Sequence, residues 1–262
     1  MPASKKNRDA SRALLSVLKT EKNARLNGGI YHKVQIELTY NSNHIEGNRL
    51  TEEQTRSIFD IHAIESDQSP VNVDDIVETA NHFHCVDRII DRARYPLTAA
   101  PIKKLHGILK NGTSDSRLGW FAVGNYKRLP NEIAGKATTA PEDVPNAMKR
   151  LIADYEGSKT KTLDDLLGFH YEFESIHPFQ DGNGRIGRLI LFKECLRWKI
   201  VPFIISDELK FFYYRGLREW KSERGYLRDT CLTAQDTFKK SSTTSRSFMT
   251  TDSRFFPREN IL

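Results

Sequence analysis

One short segment of the chain carries the residue types that could do chemistry: His177-Pro-Phe-Gln-Asp-Gly-Asn-Gly-Arg-Ile-Gly-Arg188. His177 is the only side chain in this signature segment that can take up a proton near neutral pH. Asp181 offers a hard carboxylate, which Mg²⁺ prefers when it also binds phosphate oxygens. Arg185 and Arg188 are three residues apart, so on a helix they lie on one side and can both bind phosphate oxygens. The segment therefore combines a base, a metal ligand and two cations.

Two glycines in the signature segment favour an anion site made by the backbone. Gly182 and Gly184 have no Cβ, so the chain can adopt left-handed dihedral angles and let an anion approach the amides. The apolar run Ile190-Leu191-Phe192 follows and predicts a helix over about residues 185–199. Unpaired amides and the helix dipole at its N-terminus favour negative charge. This order of residues suits a triphosphate.

Two other interpretations of the signature segment are weaker. The first is a capped helix start with incidental charge, in which Asn183 or Asp181 is the N-cap. Five functional residue types at fixed spacing disfavour it. The second is a dinucleotide-binding turn, because residues 182–187 match a G-x-G-x-x-G spacing. Such a turn follows a buried apolar strand, whereas residues 169–176 include a histidine and two glutamates.

The signature segment resembles the signature of the Fic family, H-P-F-x-D-G-N-G-R-x-x-R, and has every specified position. The family's usual activity is the transfer of AMP from ATP to a hydroxyl side chain of a target protein, with release of pyrophosphate. The resemblance covers about residues 40–227. It implies a mainly α fold, a Fic-type helical bundle with one β-hairpin flap, and an enzyme that uses ATP and Mg²⁺.

The resemblance also implies a role for each position of the segment. His177 would deprotonate the target hydroxyl, and Asp181 would hold Mg²⁺ against the α- and β-phosphates. Phe179 would be the buried anchor of the loop. An anion hole, two phosphate-binding arginines and the residues between them would bind the nucleotide: Gly182, Asn183, Gly184, Arg185, Ile186, Gly187 and Arg188. Enzymes of phosphoryl-type transfer mainly position groups and stabilise charge, so the chemistry and the resemblance agree.

A second motif lies far upstream, at Ser42-Asn-His-Ile-Glu-Gly-Asn48, and resembles the family's inhibitory motif, S/T-x-x-x-E-G/N. Residues 31–45 fit an irregularly amphipathic helix, which Gly47 is well placed to end. Ser42 and Glu46 are four residues apart and share a helix face. Alone, Glu46 would be interpreted as a solvent-facing residue at a helix end. Beside the signature segment, the resemblance implies that Ser42, Glu46 and Gly47 regulate the site from an N-terminal helix.

A weaker match concerns a β-hairpin. Residues 124–135 resemble the family's flap, which covers the site and pairs with the main chain of the target. Pro130-Asn131 is a plausible turn between two short extended pieces. A structural hairpin without a ligand would look similar. The flap would bring Ile133, Ala134 and Gly135 to the nucleotide.

The adenine end of the site is implied by residues further downstream. Tyr213 and Tyr214 resemble the family's paired tyrosines beside the base, and we expect at most one of them to touch it. Lys221 stands near a further nucleotide contact, where the family often has asparagine.

Composition sets broad limits on the function. A chain of 262 residues, 38% of them hydrophobic, suits one main domain with a sizeable core. The net charge is +6, but basic and acidic residues are interspersed, which disfavours a nucleic-acid partner. Three separated cysteines without a signal sequence predict free thiols in the cytoplasm. The sequence contains no apolar run long enough to span a membrane.

Helical periodicity dominates the chain. Helices are predicted over about residues 73–92, 98–110, 163–175, 206–219 and 226–239, with caps at Thr51 and Thr162. A further helix is predicted to begin at Pro141 or Pro145 and to run to about residue 155. We predict an N-terminal helical region at 1–70 that carries the inhibitory motif, and a Fic catalytic domain at 71–240. The hydroxyl-rich sequence from Ser241 predicts a disordered tail at 241–262.

The function that we expect is an ATP-dependent protein adenylyltransferase. Glu46 would hold it inactive by pairing with Arg188, the guanidinium that the γ-phosphate otherwise needs. The alternatives are removal of AMP from a modified protein, a Fic enzyme with another nucleotide or diphosphate-linked donor, and a non-catalytic nucleotide-binding module, which His177 disfavours. The partners would be ATP and a target protein of unknown identity. Self-modification and a homo-oligomer remain open.

Overall fold

The chain is built almost entirely of helices. The computed structural model describes the backbone of residues 5–64 and 70–244, and the side chains of residues 14–64 and 70–241. The helices of this described part are α1 (Lys5–Ala24), α2 (Ile30–Ile45), α3 (Glu52–Ile61), α4 (Val73–Asp91), α5 (Ala99–Leu109), α6 (Val144–Glu156), α7 (Leu163–Ile176), α8 (Asn183–Trp198), α9 (Lys210–Arg218) and α10 (Gly225–Thr244). Two strands, β1 (Glu132–Ile133) and β2 (Lys136–Ala137), form an antiparallel hairpin. The predicted mainly α fold with one β-hairpin is confirmed.

Local sequence signals fix where two of these helices begin. Thr51 accepts a hydrogen bond from the Gln54 amide at 3.1 Å, and the Gln54 side chain accepts one from the Thr51 amide at 3.0 Å. Thr162 and Asp165 form the same reciprocal pair, with distances of 3.3 Å and 2.7 Å. Each pair satisfies amides that the first turn of a helix leaves without partners. The predicted caps at Thr51 and Thr162 are therefore present, and the second sets the course of α7 toward His177.

Three predicted boundaries differ from the structure. The hairpin turns at Ala134-Gly135, both with positive φ (48° and 75°), so the predicted turn at Pro130-Asn131 is wrong. A two-residue hairpin loop needs this twist, which glycine adopts without strain. The helix predicted over 206–219 is divided into a short 3₁₀ turn, Asp207–Leu209, and α9. Helix α10 includes residues 241–244, so the predicted tail begins no earlier than 245; residues 245–262 lie outside the described part.

Helix α8 lies at the centre of the bundle. Its residues from Asn183 to Leu196 are all buried, because helices α1, α2, α4, α5 and α7 pack around it. A helix that is apolar on several sides belongs in such a position. Ile186 and Leu189 are inaccessible to solvent and belong to the same core cluster as Leu18 of α1 and Val34 of α2. The N-terminal residues thus share the core of the rest of the chain, and the predicted boundary at residue 70 stays a prediction.

A smaller apolar cluster joins α2 to its neighbours. Ile36 of α2 packs with Leu50, Ile58 and Phe83, which joins α2 to α3 and α4. Helix α2 also contacts α8. Among the helices of residues 5–64 and 70–244, none is long and apolar enough to cross a membrane.

Candidate active site

His177 terminates α7 in an unusual backbone conformation. Its φ and ψ are 52° and 63°, the left-handed region that residues other than glycine seldom adopt. Its Nδ1 lies 3.3 Å from the carbonyl oxygen of Glu174. Because a carbonyl can only accept, this bond favours the proton on Nδ1 and leaves the Nε2 lone pair free. Burial lowers the pKa of His177, and the nearby Lys127 acts in the same direction. The imidazole is therefore suited to accept a proton at neutral pH.

Two residues hold the signature segment in shape. Phe179 is inaccessible to solvent and stacks on the ring of His106, with centroids 4.2 Å apart and planes 3° apart. Its predicted place as the buried anchor agrees with this packing. Asn183 accepts a hydrogen bond from the Phe179 amide and donates one to the Phe179 carbonyl, both at 2.8 Å. The Asn183 side chain is thus used within the loop, so the predicted anion hole retains only its backbone.

The first turn of α8 is already covered by a carboxylate. Gly182 has φ 78° and is the residue that precedes the helix. A Cβ added at Gly184 would overlap the carboxylate of Glu46, which lies directly against the backbone there. This is where the unpaired amides and the helix dipole favour negative charge. Glu46 therefore occupies the position that an anionic ligand of α8 would take.

Arg188 connects the upstream motif, residues 42–48, to α8. Its Nη2 donates to Glu46 Oε1 at 2.7 Å and to the Ser42 carbonyl at 2.8 Å, while its Nε donates to Ser42 Oγ at 3.0 Å. The predicted pair of Glu46 with Arg188 is present, and Ser42 adds two further acceptors. The Arg188 side chain is 4% exposed and that of Glu46 27%. Burial lowers the pKa of Arg188, but the charge and hydrogen bond of Glu46, together with Tyr213 and Glu174, outweigh it, and the pKa is raised.

Arg185 has a different environment from Arg188. It pairs with Glu78 of α4 and, through Nη2, with Asp181 Oδ2 at 3.0 Å. Lys110, directly after α5, binds Glu78 and also lies 2.7 Å from Asp181 Oδ2. Arg185 thus orients Asp181 within a cluster of two cations and two carboxylates, and its predicted role as a phosphate ligand stays a prediction.

Asp181 keeps one side open to solvent. Its side chain is 46% exposed even though Oδ2 binds both Lys110 and Arg185. Desolvation raises its pKa, but the two neighbouring cations outweigh this and hold the pKa well below the usual value. Mg²⁺ needs only one or two carboxylates besides phosphate oxygens, and an ionised, half-exposed carboxylate fits that need. In the described part of the chain, no three histidine, cysteine, aspartate or glutamate side chains are grouped so that they could hold a metal ion by themselves.

Three polar residues lie buried beneath Arg188 and Gly187. A Cβ on Gly187 would overlap the carboxyl of Glu174, so glycine is needed there for packing. Burial raises the pKa of Glu174 to about 8. His170 Nε2 lies 2.6 Å from the hydroxyl of Tyr213. None of these contacts requires a nucleotide. Gly187 allows Glu174 and His170 to pack closely against α8.

The two predicted adenine-side tyrosines are separated by burial. Tyr213 is 1% exposed and faces His170, so it cannot touch a base without a rearrangement. Tyr214 is 40% exposed, and its hydroxyl donates to the carbonyl of Ile45 at the end of α2, at 3.4 Å. Lys221 lies exposed in the turn after α9, and none of the described contacts brings it to the signature segment. In this structure Tyr214 is therefore the best placed of these three residues to contact an adenine ring.

The hairpin is attached to the signature segment at its base. Asn131 donates from Nδ2 to the Phe179 carbonyl at 3.0 Å, and the Lys127 amide donates to the Pro178 carbonyl at 2.9 Å. Ile133 on β1 is exposed. The outer edge of a two-stranded sheet has free backbone groups that can pair with an extended peptide. The hairpin therefore has the position and the edge that the flap interpretation requires.

The sequence did not point to four of the residues that support the site: Glu78, Lys110, His106 and Glu174. Each lies in or beside a correctly predicted helix, where a single charged residue normally faces solvent. A buried arginine needs a carboxylate, but the sequence does not show that Arg185 is buried. Sequence spacing could not say which helix supplies it, because Glu78 is 107 residues from Arg185.

Replacing Glu78 with glutamine is expected to destabilise the fold strongly. The change leaves the buried cations Lys110 and Arg185 with Asp181 as their principal anion, and breaking a buried ion pair costs about 3–5 kcal/mol. Asp115→Asn is the matched control, because Asp115 contacts the same lysine at 3.4 Å but is 42% exposed; such a pair contributes about 0–1 kcal/mol. Urea unfolding measures both. Equal losses of unfolding free energy would contradict the cluster's importance.

Comparison with known proteins gives a family match over part of the chain and many similar proteins. The family model described as Fic/DOC matches residues 96–194, which contain the whole signature segment. Proteins named Protein adenylyltransferase Fic are 26% identical over 184 residues in Nematostella vectensis and 29% identical over 219 residues in Drosophila willistoni. These matches cover 69% and 80% of this chain, but only 42% and 41% of the relatives. The chain thus spans about two fifths of their length.

Solved structures agree with the sequence comparison. A Fic domain containing signaling protein from Bacteroides thetaiotaomicron is 25% identical, with a TM-score of 0.71 and coverage of 90% of this chain and 92% of the other. Fic-1 from C. elegans, at 19% identity and a TM-score of 0.68, covers 92% and 73% and shares the fold. The helical bundle, the hairpin and the complete signature segment agree with both comparisons: residues 96–194 match the Fic/DOC family, and the chain has the fold of Fic domain proteins.

Proposed function

We propose that this chain is an adenylyltransferase that moves AMP from ATP to a hydroxyl side chain of a target protein, and that Glu46 holds it inactive. One observation carries the proposal. The Glu46 carboxylate lies on the first turn of α8, paired with Arg188, in the place suited to the terminal phosphates of a nucleotide. His177, with its Nε2 lone pair free, ends the preceding helix. The names of the relatives support the reaction type.

In the proposed reaction one proton is transferred and one phosphorus–oxygen bond is exchanged for another. His177 Nε2 accepts the proton of the target hydroxyl, and the hydroxyl oxygen attacks the α-phosphorus. The bond from the α-phosphorus to the oxygen that bridges to the β-phosphate breaks, and pyrophosphate leaves. Amides at the start of α8, from Gly182 to Gly184, stabilise the negative charge on the phosphates. General-base assistance of this kind contributes about a hundred- to ten-thousandfold in rate.

Asp181 is the residue that would hold Mg²⁺. Bound there, Mg²⁺ would neutralise charge that develops on the phosphates during transfer. The chain's own contribution is to keep the carboxylate ionised and oriented, which Lys110 and Arg185 do through Oδ2. The exposed remainder of the Asp181 side chain would face the metal.

The remaining parts of a substrate fit the exposed side chains around the loop. Tyr214 is the tyrosine available for the adenine ring, and the edge of the β1–β2 hairpin is available for the backbone of the target. The target protein, the preference for ATP over other donors, self-modification, the oligomeric state and the cytoplasmic location stay predictions.

Glu46 would inhibit by competing for Arg188. A charge-assisted, largely buried pair must be broken before the guanidinium can bind the γ-phosphate. While Glu46 remains, the phosphates cannot take the position that aligns the α-phosphorus with the target hydroxyl. A bias of about 1.4 kcal/mol changes the rate tenfold, so a modest pair is sufficient for strong inhibition.

The same site also suits the reverse task, removal of AMP from a modified protein. The Glu46 side chain is 27% exposed, and its bond to Arg188 is made by Oε1. A carboxylate that retains solvent contact beside the phosphate position can orient a water molecule for attack. Loss of Glu46 would then abolish AMP removal while it increases AMP transfer.

Glu46→Gly is expected to raise transfer of labelled AMP by at least about tenfold, because the carboxylate no longer covers α8. Adding Arg188→Ala to that variant should lower the rate again, since the γ-phosphate loses its ligand. Glu53→Gly, which removes an exposed glutamate of α3, is the control and should behave as the parent. Labelling of the protein itself and of a lysate measures the effect. If Glu46→Gly is no more active than the control on either substrate, inhibition by Glu46 is wrong.

In the Glu46→Gly background, His177→Ala is expected to abolish AMP transfer while ATP binding persists. The base is lost, but the phosphate contacts lie on other residues. Calorimetric titration with ATP and labelling with the same nucleotide separate the two effects. Transfer at the rate of the parent variant would remove His177 from the mechanism.

The transfer rate should remain high at mildly acidic pH. Only neutral His177 can accept a proton, so the rate falls as the pH drops through its pKa. Burial lowers that pKa below the ordinary value of about 6.5. The acid limb of kcat/KM in Glu46→Gly is therefore expected below pH 6.5, in protein that circular dichroism shows to be folded. An acid limb above pH 7 would contradict the assignment.

A further inference from the structure

A buried lysine lies between the hairpin and the residue assigned as the base. Lys127 is 3% exposed. Its Nζ donates to Asn131 Oδ1 at 2.6 Å and to Thr138 Oγ1 at 2.5 Å, on the two sides of the hairpin. The same Nζ lies 3.5 Å from the carbonyl oxygen of Ile176. One ammonium group thus holds the base of the hairpin to the end of α7.

The backbone of Lys127 completes a clamp around His177. Its amide donates to the carbonyl of Pro178 at 2.9 Å. The carbonyls of Ile176 and Pro178, which precede and follow His177, both accept from the same lysine. The strained left-handed conformation of His177 needs such external support, because the backbone alone does not favour it.

The hydrogen bonds of the clamp do not need the positive charge of Lys127. Its three Nζ acceptors are neutral, and within residues 14–64 and 70–241 it forms no ion pair. A buried ammonium without a carboxylate is costly, and burial lowers the pKa of Lys127 to about 8. A neutral donor could make the same bonds at lower cost. The charge of Lys127 acts to lower the pKa of His177.

Other charges also act on His177, in the opposite direction. Glu46 from the end of α2 and Asp181 from the signature segment favour the protonated imidazole. Lys127 is the cation that counteracts them from the hairpin side. Release of Glu46 would leave Lys127 and Asp181 as the main charges around the base.

We propose that Lys127 is a positioning residue for AMP transfer, which fixes His177 between its neighbouring carbonyls, sets the hairpin relative to it, and favours its neutral imidazole. The reaction named here rests on the proposed function. The clamp and the electrostatic effect on His177 do not, so they can be tested without turnover.

The test is a titration of His177 by NMR in the full chain, with the resonance assigned by comparison with His177→Ala. Lys127→Met is expected to raise the pKa of His177, because it removes the cation. Lys136→Met, which removes an exposed lysine from β2 of the same hairpin, should leave it unchanged. Lys127→Arg, which keeps the charge, should stay near the wild-type value. If Lys127→Met does not fold, Lys127→Gln removes the charge and retains polar contacts.

Hydrogen exchange separates the mechanical part from the electrostatic part. Thr138→Val removes one Nζ acceptor but keeps the charge, so the backbone amide of residue 138, which donates to the Asn131 carbonyl, should exchange faster with little change in the His177 titration. In Glu46→Gly, adding Lys127→Met should lower kcat at least tenfold and move the acid limb upward, with KM for ATP unchanged.

The outcomes distinguish the two levels of the proposal. A His177 titration that is the same in folded Lys127→Met, Lys136→Met and wild-type protein would overturn the role of Lys127, whatever the activity. A shifted titration together with absence of AMP transfer from every Glu46→Gly sample would support Lys127 and overturn the adenylyltransferase assignment instead.

Discussion

A buried guanidinium needs a counter-charge, and Arg188 has one place where it can find it. The side chain is enclosed by α2, α7 and α9, and its open side faces the first turn of α8. Any anion that binds Arg188 must therefore also lie against the amides of that turn. In this state Glu46 meets both demands. On the proposed mechanism a bound anion replaces Glu46 as the partner of Arg188, since leaving the guanidinium unpaired costs several kcal/mol. Binding at α8 and displacement of Glu46 would then be one event.

The rest of the site is organised so that this exchange leaves the loop unchanged. Arg185, three residues before Arg188, is paired with Glu78 and Asp181 and takes no part in the contact with Glu46. Arg185 thus fixes the loop, and Arg188 is the arginine that a ligand would bind on the proposed mechanism. The clamp of Asn183 on Phe179 and the hydrogen bonds from Lys127 are equally independent of Glu46. Preorganisation of this kind is what phosphoryl-type transfer requires of a protein.

The sequence predicted the parts of the fold and site that depend on local pattern. The caps at Thr51 and Thr162 and the helices that they begin follow from short-range rules. The hairpin was predicted from the family resemblance, and the local pattern misplaced its turn. The contact of Glu46 with Arg188 was also predicted from the resemblance, because Glu46 alone would be interpreted as a solvent-facing residue. Contacts between residues far apart in sequence could not be predicted, because nothing in the spacing of Glu78 or Lys127 indicates that they lie against the loop. Burial was equally hidden: Arg185 and Tyr213 are both enclosed in this structure, and their contact with a nucleotide stays a prediction.

The central claim is that Glu46 and the terminal phosphates of ATP compete for Arg188 and the first turn of α8. Crystal structures of the wild-type chain and of Glu46→Gly, each with a non-hydrolysable ATP analogue and Mg²⁺, test it most directly. The γ-phosphate should contact Arg188 in the variant, and the α-phosphorus should lie within reach of an oxygen hydrogen-bonded to His177 Nε2. In the wild type the Glu46–Arg188 pair should persist and the phosphates should lie elsewhere. Identical phosphate positions in both structures, with Glu46 still bound to Arg188, would contradict the account.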